Sequence, residues 1–291
     1  MEFKVIRLKK NSGHGFARRC SVDNCSNDLI ALMDADDISY PLRFEKQTEV
    51  FLATHGIDIV GGQITEFIDR PSVVVGMRAV PLMDQEIKQY LKKRCPMNQV
   101  TVMFKRDAYE SAGGYIDWYC EEDYYLWIRM VEKNKVFRNV PENLVHVRIG
   151  DEMSARRGGM KYFLSELRIQ QYLLEKNFIS IWRFFYNSLI RFGGEVVLPT
   201  KIRTLLFRWL REKDNQNWRP FVSVKRKKSL LPFSVAMCVY GGDNAEWFEQ
   251  ALASLVNQTV LPSEIVLVID GPIGNGLEIV IEKYRKIFAD L

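Results

Sequence analysis

Asp34 and Asp36 stand in the run Leu32-Met33-Asp34-Ala35-Asp36-Asp37-Ile38. Two positions apart in an extended segment, their side chains fall on the same side. Two hard oxygen donors aimed at one point suit Mg²⁺ or Mn²⁺ carrying a phosphate ligand. Asp36 and Asp34 are therefore candidate metal ligands. Three arginines, Arg148, Arg156 and Arg157, lie on or beside a Gly-containing stretch, and guanidinium groups can clamp a diphosphate in a bidentate way. A second acidic group, Glu122-Asp123, opens an apolar-periodic helix. Each set also has a plain structural reading. Asp37 and Ser39 would cap a helix, Glu122 and Asp123 would favour a helix dipole, and the arginines would line a solvated loop.

The elements around these residues decide where they sit. Residues 29–33 form a short apolar run after Asn27-Asp28, the pattern of a buried strand. Ser39 then reads as an N-cap and Pro41 as a first-turn residue of a helix over 41–55. The acids thus fall at the C-terminal end of a buried strand, where open α/β sheets bind ligands. Strands are expected at 3–8, 57–62, 63–67, 100–104, 136–141 and 144–148, with helices at 16–24, 84–93, 106–112 and from 122 onward. Gly13 and Gly15 beside Arg18 allow close approach of a phosphate, or simply a turn. His146 reads as a packed strand residue and not as a metal ligand.

Three amphipathic helices follow, at 160–176, 178–191 and 200–213. In the last two, aromatic residues alternate with arginines and lysines. That combination suits either an anionic membrane surface, contacted through 178–211, or a bundle packed on the sheet. No nucleic-acid-binding motif accompanies the charge, so a nucleic-acid partner is not expected. Residues 214–231 are polar and then basic, a linker. After it the chain restarts as strand 233–240, helix 246–257, strand 262–270 and helix 276–288. This βαβα order is the start of a doubly wound sheet, placed at the end of the chain.

Composition fits this. A hydrophobic fraction of 47% and a charged fraction of 26% are those of a globular chain. The 5 cysteines are odd in number and form no CxxC, which points to reduced thiols and a cytoplasmic setting. The first residues have no signal-type apolar core, and no apolar run reaches membrane-spanning length.

In their cyclic order these segments resemble bacterial glycosyltransferases of family 2, most of all the amylovoran- and capsule-type branch. That family orders its units as strand–turn–helix (like 233–257), strand–Asp (like 265–270), strand–NxG (like 5–13), and then the DxD. Here the first two units come last. The chain resembles a circular permutant, or a piece of a tandem protein joining the back of one domain to the front of the next. The resemblance implies a GT-A fold, a Rossmann-like α/β architecture whose mostly parallel sheet carries helices on both faces. Its catalytic part would span 1–160, an amphipathic helical region 161–213, the linker 214–231, and a nucleotide-binding half 232–291.

It also implies roles. Val239 and Tyr240 would pack on the nucleotide base, Asp270 would bond uracil, and Arg18 would lie near the base. Asp34 would face the ribose and Asp36 would hold Mn²⁺ or Mg²⁺. Asp123, with Glu122 beside it, would be the general base, and Arg148, Arg156 and Arg157 would meet the diphosphate. Two departures stand out: Gly241 replaces the family's usual Asn after Tyr, and Asp270-Gly271-Pro272 replaces DxSxD. The expected activity is inverting transfer from a nucleotide-sugar, a UDP-sugar by these residues, to a glycan or polyprenyl-linked hydroxyl at the inner face of the cytoplasmic membrane. The alternatives are an inactive rearranged or tandem-fragment protein that binds nucleotide-sugar, and a membrane-surface binding module. The rearrangement leaves two assemblies open, a monomer and a dimer exchanging 233–291.

Overall fold

The computed structural model describes residues 1–150, 159–198, 225–227 and 231–291. Arg156, Arg157, the helix expected at 200–213 and most of the linker lie outside them. One nine-stranded sheet organises the described chain, in the order β1-β9-β8-β2-β6-β4-β7-β3, with β5 (Gly76–Arg78) paired to β4. The half formed by β1 (Glu2–Arg7), β9 (Glu264–Asp270), β8 (Phe233–Tyr240) and β2 (Leu29–Met33) is parallel throughout. Such strands are buried on both faces and read as continuous apolar runs; β2 and β9 have no exposed residue. β6 (Met103–Lys105) then runs antiparallel to both β2 and β4 (Ile59–Phe67). β7 (Phe137–Arg148) is parallel to β4 and antiparallel to the short β3 (Ile38–Ser39). The result is a mixed α/β sheet consistent with the GT-A fold.

The alternation of β2 separates two cores. Ile30 and Leu32 face the cluster built on α3 (Asp84–Leu91), α4 (Arg106–Ser111), α5 (Glu122–Glu132) and α6 (Met160–Glu175). Leu29, Ala31 and Met33 face the cluster of α2 (Arg43–Ala53), α8 (Ala245–Val256) and α9 (Asn275–Ala289). α1 (His14–Asp23) adds Val22 to the first cluster, and α7 (Ile181–Phe192) adds Phe184 at its edge. Helices thus cover both faces. The chain's last helix closes on its first strand: the Phe288 and Phe3 rings lie 5.1 Å apart.

Three local expectations change. Residues 57–67 form one strand from Ile59, and 136–148 form one strand through Pro141. The strand expected at 100–104 begins only at Met103, because Gln99–Thr101 makes a 3₁₀ turn in which Thr101 Oγ1 donates to the Asn98 carbonyl at 2.6 Å. Ser39 does not cap α2. It lies in β3, accepts from Arg43 Nη1 at 2.9 Å, and leaves the helix to begin after Leu42 without a side-chain cap.

Candidate active site

The C-terminal ends of β8, β9 and β2 bring the separated motifs to one edge of the sheet. β2 delivers Asp34 to the guanidinium of buried Arg18 on α1, Nη2 to Oδ1 at 3.1 Å. The other arm of Arg18 reaches Glu122 Oε1 on α5 at 3.0 Å. Burial alone would lower the Arg18 pKa. The charge of Asp34, then Tyr115 and Glu122, outweighs it and holds the proton more tightly than in a free arginine. The same pairing works on Asp34: burial pushes its carboxyl up, and Arg18 and His14 bring it below the ordinary value. One cation thus joins the acid at the end of β2 to the acidic helix.

Asp123 is held from two sides. Its Oδ1 accepts the Tyr124 backbone N–H at 2.7 Å. The amide of Gln99 is satisfied only when its nitrogen faces Asp123, donating to Oδ2 at 3.0 Å while its oxygen accepts from Arg18 Nε at 3.0 Å. Glu121, two residues earlier, is buried and accepts from Tyr162 Oη at 2.8 Å. Burial, with Glu166 and Asp123 nearby, raises its carboxyl well above the usual range. Asp123 is the more solvent-accessible of the two.

Beyond β2, Asp37 is buried and accepts the Arg148 backbone N–H at 2.9 Å. Burial and the charges of Asp36 and Asp34 push it well up. Arg148 does not extend into open space. Its guanidinium lies between the rings of Phe67 at 4.5 Å and Trp247 at 4.4 Å, donates to Gln250 Oε1 at 2.9 Å, and donates from Nε to the Asp36 carbonyl at 3.2 Å. It therefore ties β7 and the DxD loop to α8. Below the acids, buried Arg43 donates to the Leu32 carbonyl at 2.6 Å and fixes the end of β2.

At the end of β9, both oxygens of Asp270 accept loop N–H groups, from Ser12 at 2.7 Å and Gly13 at 3.1 Å. In this structure Asp270 shapes the loop that precedes α1. Gly271 sits at φ 86°, and a Cβ there would stand 2.6 Å from the Asn11 nitrogen, so only glycine permits this approach. At the end of β8, Val239 is buried and Tyr240 is exposed. Gly241 has a physical reason for not being Asn: a Cβ would lie 2.6 Å from the Pro272 carbonyl oxygen.

The structure thus brings Arg18, Asp34, Glu122 and Asp123 into one linked group. It places Asp36 and Arg148 beside them and Asp270 under the adjoining loop. The sequence reading missed Gln99, Arg43 and Asp243. Asp243 accepts the Tyr240 N–H at 2.9 Å, and burial with Asp36 and Asp34 nearby lifts it to about 6. Its signal was available, an acid just past a strand end, as with Asp270. Gln99 gave none.

Among the described residues no group of three His, Cys, Asp or Glu side chains converges as a ligand set. The residues nonetheless fit a divalent cation. Asp34 and Asp36 offer the hard carboxylate oxygens such an ion takes, their charge raises Asp37 and Asp243, and a bound cation would offset it.

Residues 1–112 match the family model for glycosyl transferase family 2. Over 208 residues the chain is 36% identical to an uncharacterized glycosyltransferase of Haemophilus influenzae, covering 71% of this chain and 76% of that one. It is 31% identical to the UDP-Gal:alpha-D-GlcNAc-diphosphoundecaprenol beta-1,3-galactosyltransferase of Escherichia coli, covering 72% and 75%. It is also 31% identical to the amylovoran biosynthesis glycosyltransferase AmsE of Erwinia amylovora, covering 73% and 77%.

Proposed function

The chain belongs to glycosyltransferase family 2, and from that premise we propose that it transfers a sugar from a UDP-sugar to a hydroxyl of a glycan or polyprenyl-linked acceptor, with inversion. The product is a surface polysaccharide or O-antigen repeat, made at the inner face of the cytoplasmic membrane. The observation that carries this reading is the linked group Asp34–Arg18–Glu122 with Gln99 and Asp123. It joins the strand end where a diphosphate fits to a carboxylate able to take a proton.

The chemistry follows from charge. A nucleoside diphosphate leaves only when its developing charge is neutralised. Asp36, with Asp34 beside it, would hold Mn²⁺ or Mg²⁺, which supplies that neutralisation when bound. Arg148, fixed beside Asp36, adds positive potential at the same edge. An acceptor alcohol has a high pKa, so attack needs a carboxylate to accept its proton. Asp123 takes that part, and hydrogen bonds from Gln99 and the Tyr124 N–H orient it. Glu122 is committed to Arg18 and positions it. A base facing the leaving group across the anomeric carbon gives inversion in one displacement.

We also infer that 233–291 takes the place of the family's opening nucleotide-binding units, as a circular permutant would arrange them. The support is that β8 and β9 lie between β1 and β2, with Asp270 bonded to the loop after β1. The UDP site then needs both ends of the sequence. A monomer assembles it within one chain, and a dimer exchanging 233–291 assembles it between two.

Calorimetric titration of UDP, with GDP as control and with and without Mn²⁺, tests the donor site. We expect Mn²⁺-dependent UDP binding near one site per chain. Asp123→Asn should lower turnover by about 10²–10⁴ and leave UDP affinity unchanged. Equal losses in both would refute the base assignment, and a folded sample that binds neither nucleotide would refute the donor site.

A further inference from the structure

α7 is built inside out. At about 100° per residue, Ile181, Trp182, Phe185, Tyr186, Leu189 and Ile190 cover one half of its circumference, and all six are exposed. Trp182 is 80% and Leu189 71% exposed. On the opposite face Asn187 and Arg191 point into the protein, beside Phe184, which packs at the edge of the first core cluster. Asn187 is the helix's one buried residue. Its Nδ2 donates to the Lys92 carbonyl at 3.0 Å and to Gln170 Oε1 at 2.8 Å. Arg191 pairs with Glu166 and donates to the Lys93 carbonyl at 2.8 Å. A surface helix of a globular protein normally has the reverse orientation, so the outer face of α7 calls for an apolar neighbour.

The charges beside it say which kind. α7 itself has no acidic residue. A cleft of about 1480 Å³ runs between α7 and α3, with Lys88, Lys92, Lys93 and Arg183 on its walls beside Trp182 and Tyr186. Glu86 also lines it, and Lys88 is paired with Asp84 at 2.7 Å. The balance around the apolar stripe is still positive. A second copy docked about a two-fold axis would place these cations against their own equivalents. Residues 201–213 of this chain, with five basic residues and one acidic one, do not offer the opposite charge. An anionic bilayer satisfies both needs: its acyl region takes the apolar stripe, and its headgroups take the cations. Among the described residues no helix is long and apolar enough to cross a membrane, so α7 would lie in the interface.

We propose that the exposed face of α7, with the basic cleft against α3, is a docking surface for an anionic phospholipid bilayer. Its inner face is joined to the acidic helix. Arg191 holds Glu166, Glu166 and Glu121 both accept from Tyr162 Oη, and Glu121 directly precedes Glu122 and Asp123. Docking would therefore set the acceptor side of the site at the lipid surface. The inference extends the lipid-linked acceptor reading and fails separately from it, because the vesicles used carry no acceptor and UDP binding is measured on the same samples.

The test is co-sedimentation of the full chain with phosphatidylglycerol-rich vesicles and with pure phosphatidylcholine vesicles. We expect recruitment to the first that weakens steeply with salt, and about tenfold weaker partitioning for Trp182→Ser/Leu189→Ser and for Lys92→Ala/Lys93→Ala. Circular dichroism and UDP affinity should stay at the wild-type level in both variants. Three results would overturn the proposal: no recruitment of a folded wild type, unchanged recruitment of the Trp182/Leu189 variant, or a wild-type dimer in sedimentation velocity that this variant converts to monomer. Recruitment without UDP binding would leave the docking surface standing and remove the donor reading.

Discussion

Helices α8 and α7 are both twelve residues long, and both have a side-chain N-cap. Asn244 accepts from the N–H groups of Glu246 and Trp247 at 2.9 and 3.2 Å, and Ser180 accepts from Arg183 at 3.3 Å. They differ in what they turn inward. α8 buries Phe248, Ala251, Leu252 and Leu255 on the parallel half of the sheet and leaves Trp247 and Gln250 at its edge to hold Arg148. α7 buries Asn187, sets Arg191 and Phe184 against the protein, and turns six apolar side chains out. An apolar stripe identifies a helix that needs a neighbour, but it does not say that the neighbour is the protein's own core. α8 finds its partner in β8 and β9, whereas the partner of α7 is to be sought outside the described residues.

The first way to break this contrast is at the buried face of α8. Phe248 is fully buried, and we expect Phe248→Ala to cost about 3–5 kcal/mol, measured as a lower urea midpoint at unchanged m. A small loss would mean that the C-terminal segment packs loosely on the sheet, and the inferred donor site would lose its support. On the inward face of α7 the residue to test is polar. Arg191→Met leaves Glu166 buried without its cation, at an expected cost of about 3 kcal/mol. Adding Glu166→Leu should restore most of that loss. If the single variant is harmless, the inward polar face of α7 is not what anchors it.

How much of this was readable beforehand depended on where each residue found its partner. The parallel strands were legible because burial on both faces leaves uninterrupted apolar runs in 29–33, 233–240 and 264–270. The DxD and Asp270 were legible because they end such runs. The joining of Arg18 to both Asp34 and Glu122 was not, since it spans 104 positions in the chain. Gln99 gave no periodic or charge signal, and its role exists only because the 3₁₀ turn at Gln99–Thr101 aims it at Asp123. Arg148 was read as a residue for diphosphate from its type and place. The stacking that fixes it comes from Phe67 and Trp247, which the sequence places 81 and 99 positions away. α7 was legible as amphipathic, but which face turned inward was not, because Gln170, Glu166 and the carbonyls of Lys92 and Lys93 decide it.

The exposed edge of α8 provides a finer test. Trp247→Ala removes one of the two rings that hold Arg148, an interaction worth about 1 kcal/mol. UDP should then bind about fivefold more weakly, with stability reduced by a similar energy. Unchanged UDP affinity would mean that Arg148 braces α8 against β7 and takes no part in holding the diphosphate.

The smallest effect is the most discriminating one. Leu189 on α7 is 71% exposed, against none of Phe248. If nothing in the chain covers it, Leu189→Ser removes no folded-state contact of consequence, and unfolding free energy should change by no more than about 0.5 kcal/mol. Helix propensity alone accounts for a few tenths of that change. If residues elsewhere in the chain packed on the stripe, the same substitution would expose a buried leucine site to a hydroxyl and cost about 2 kcal/mol or more. Urea denaturation of this one variant, without lipid, therefore separates a face kept open for an outside partner from a face the protein closes for itself.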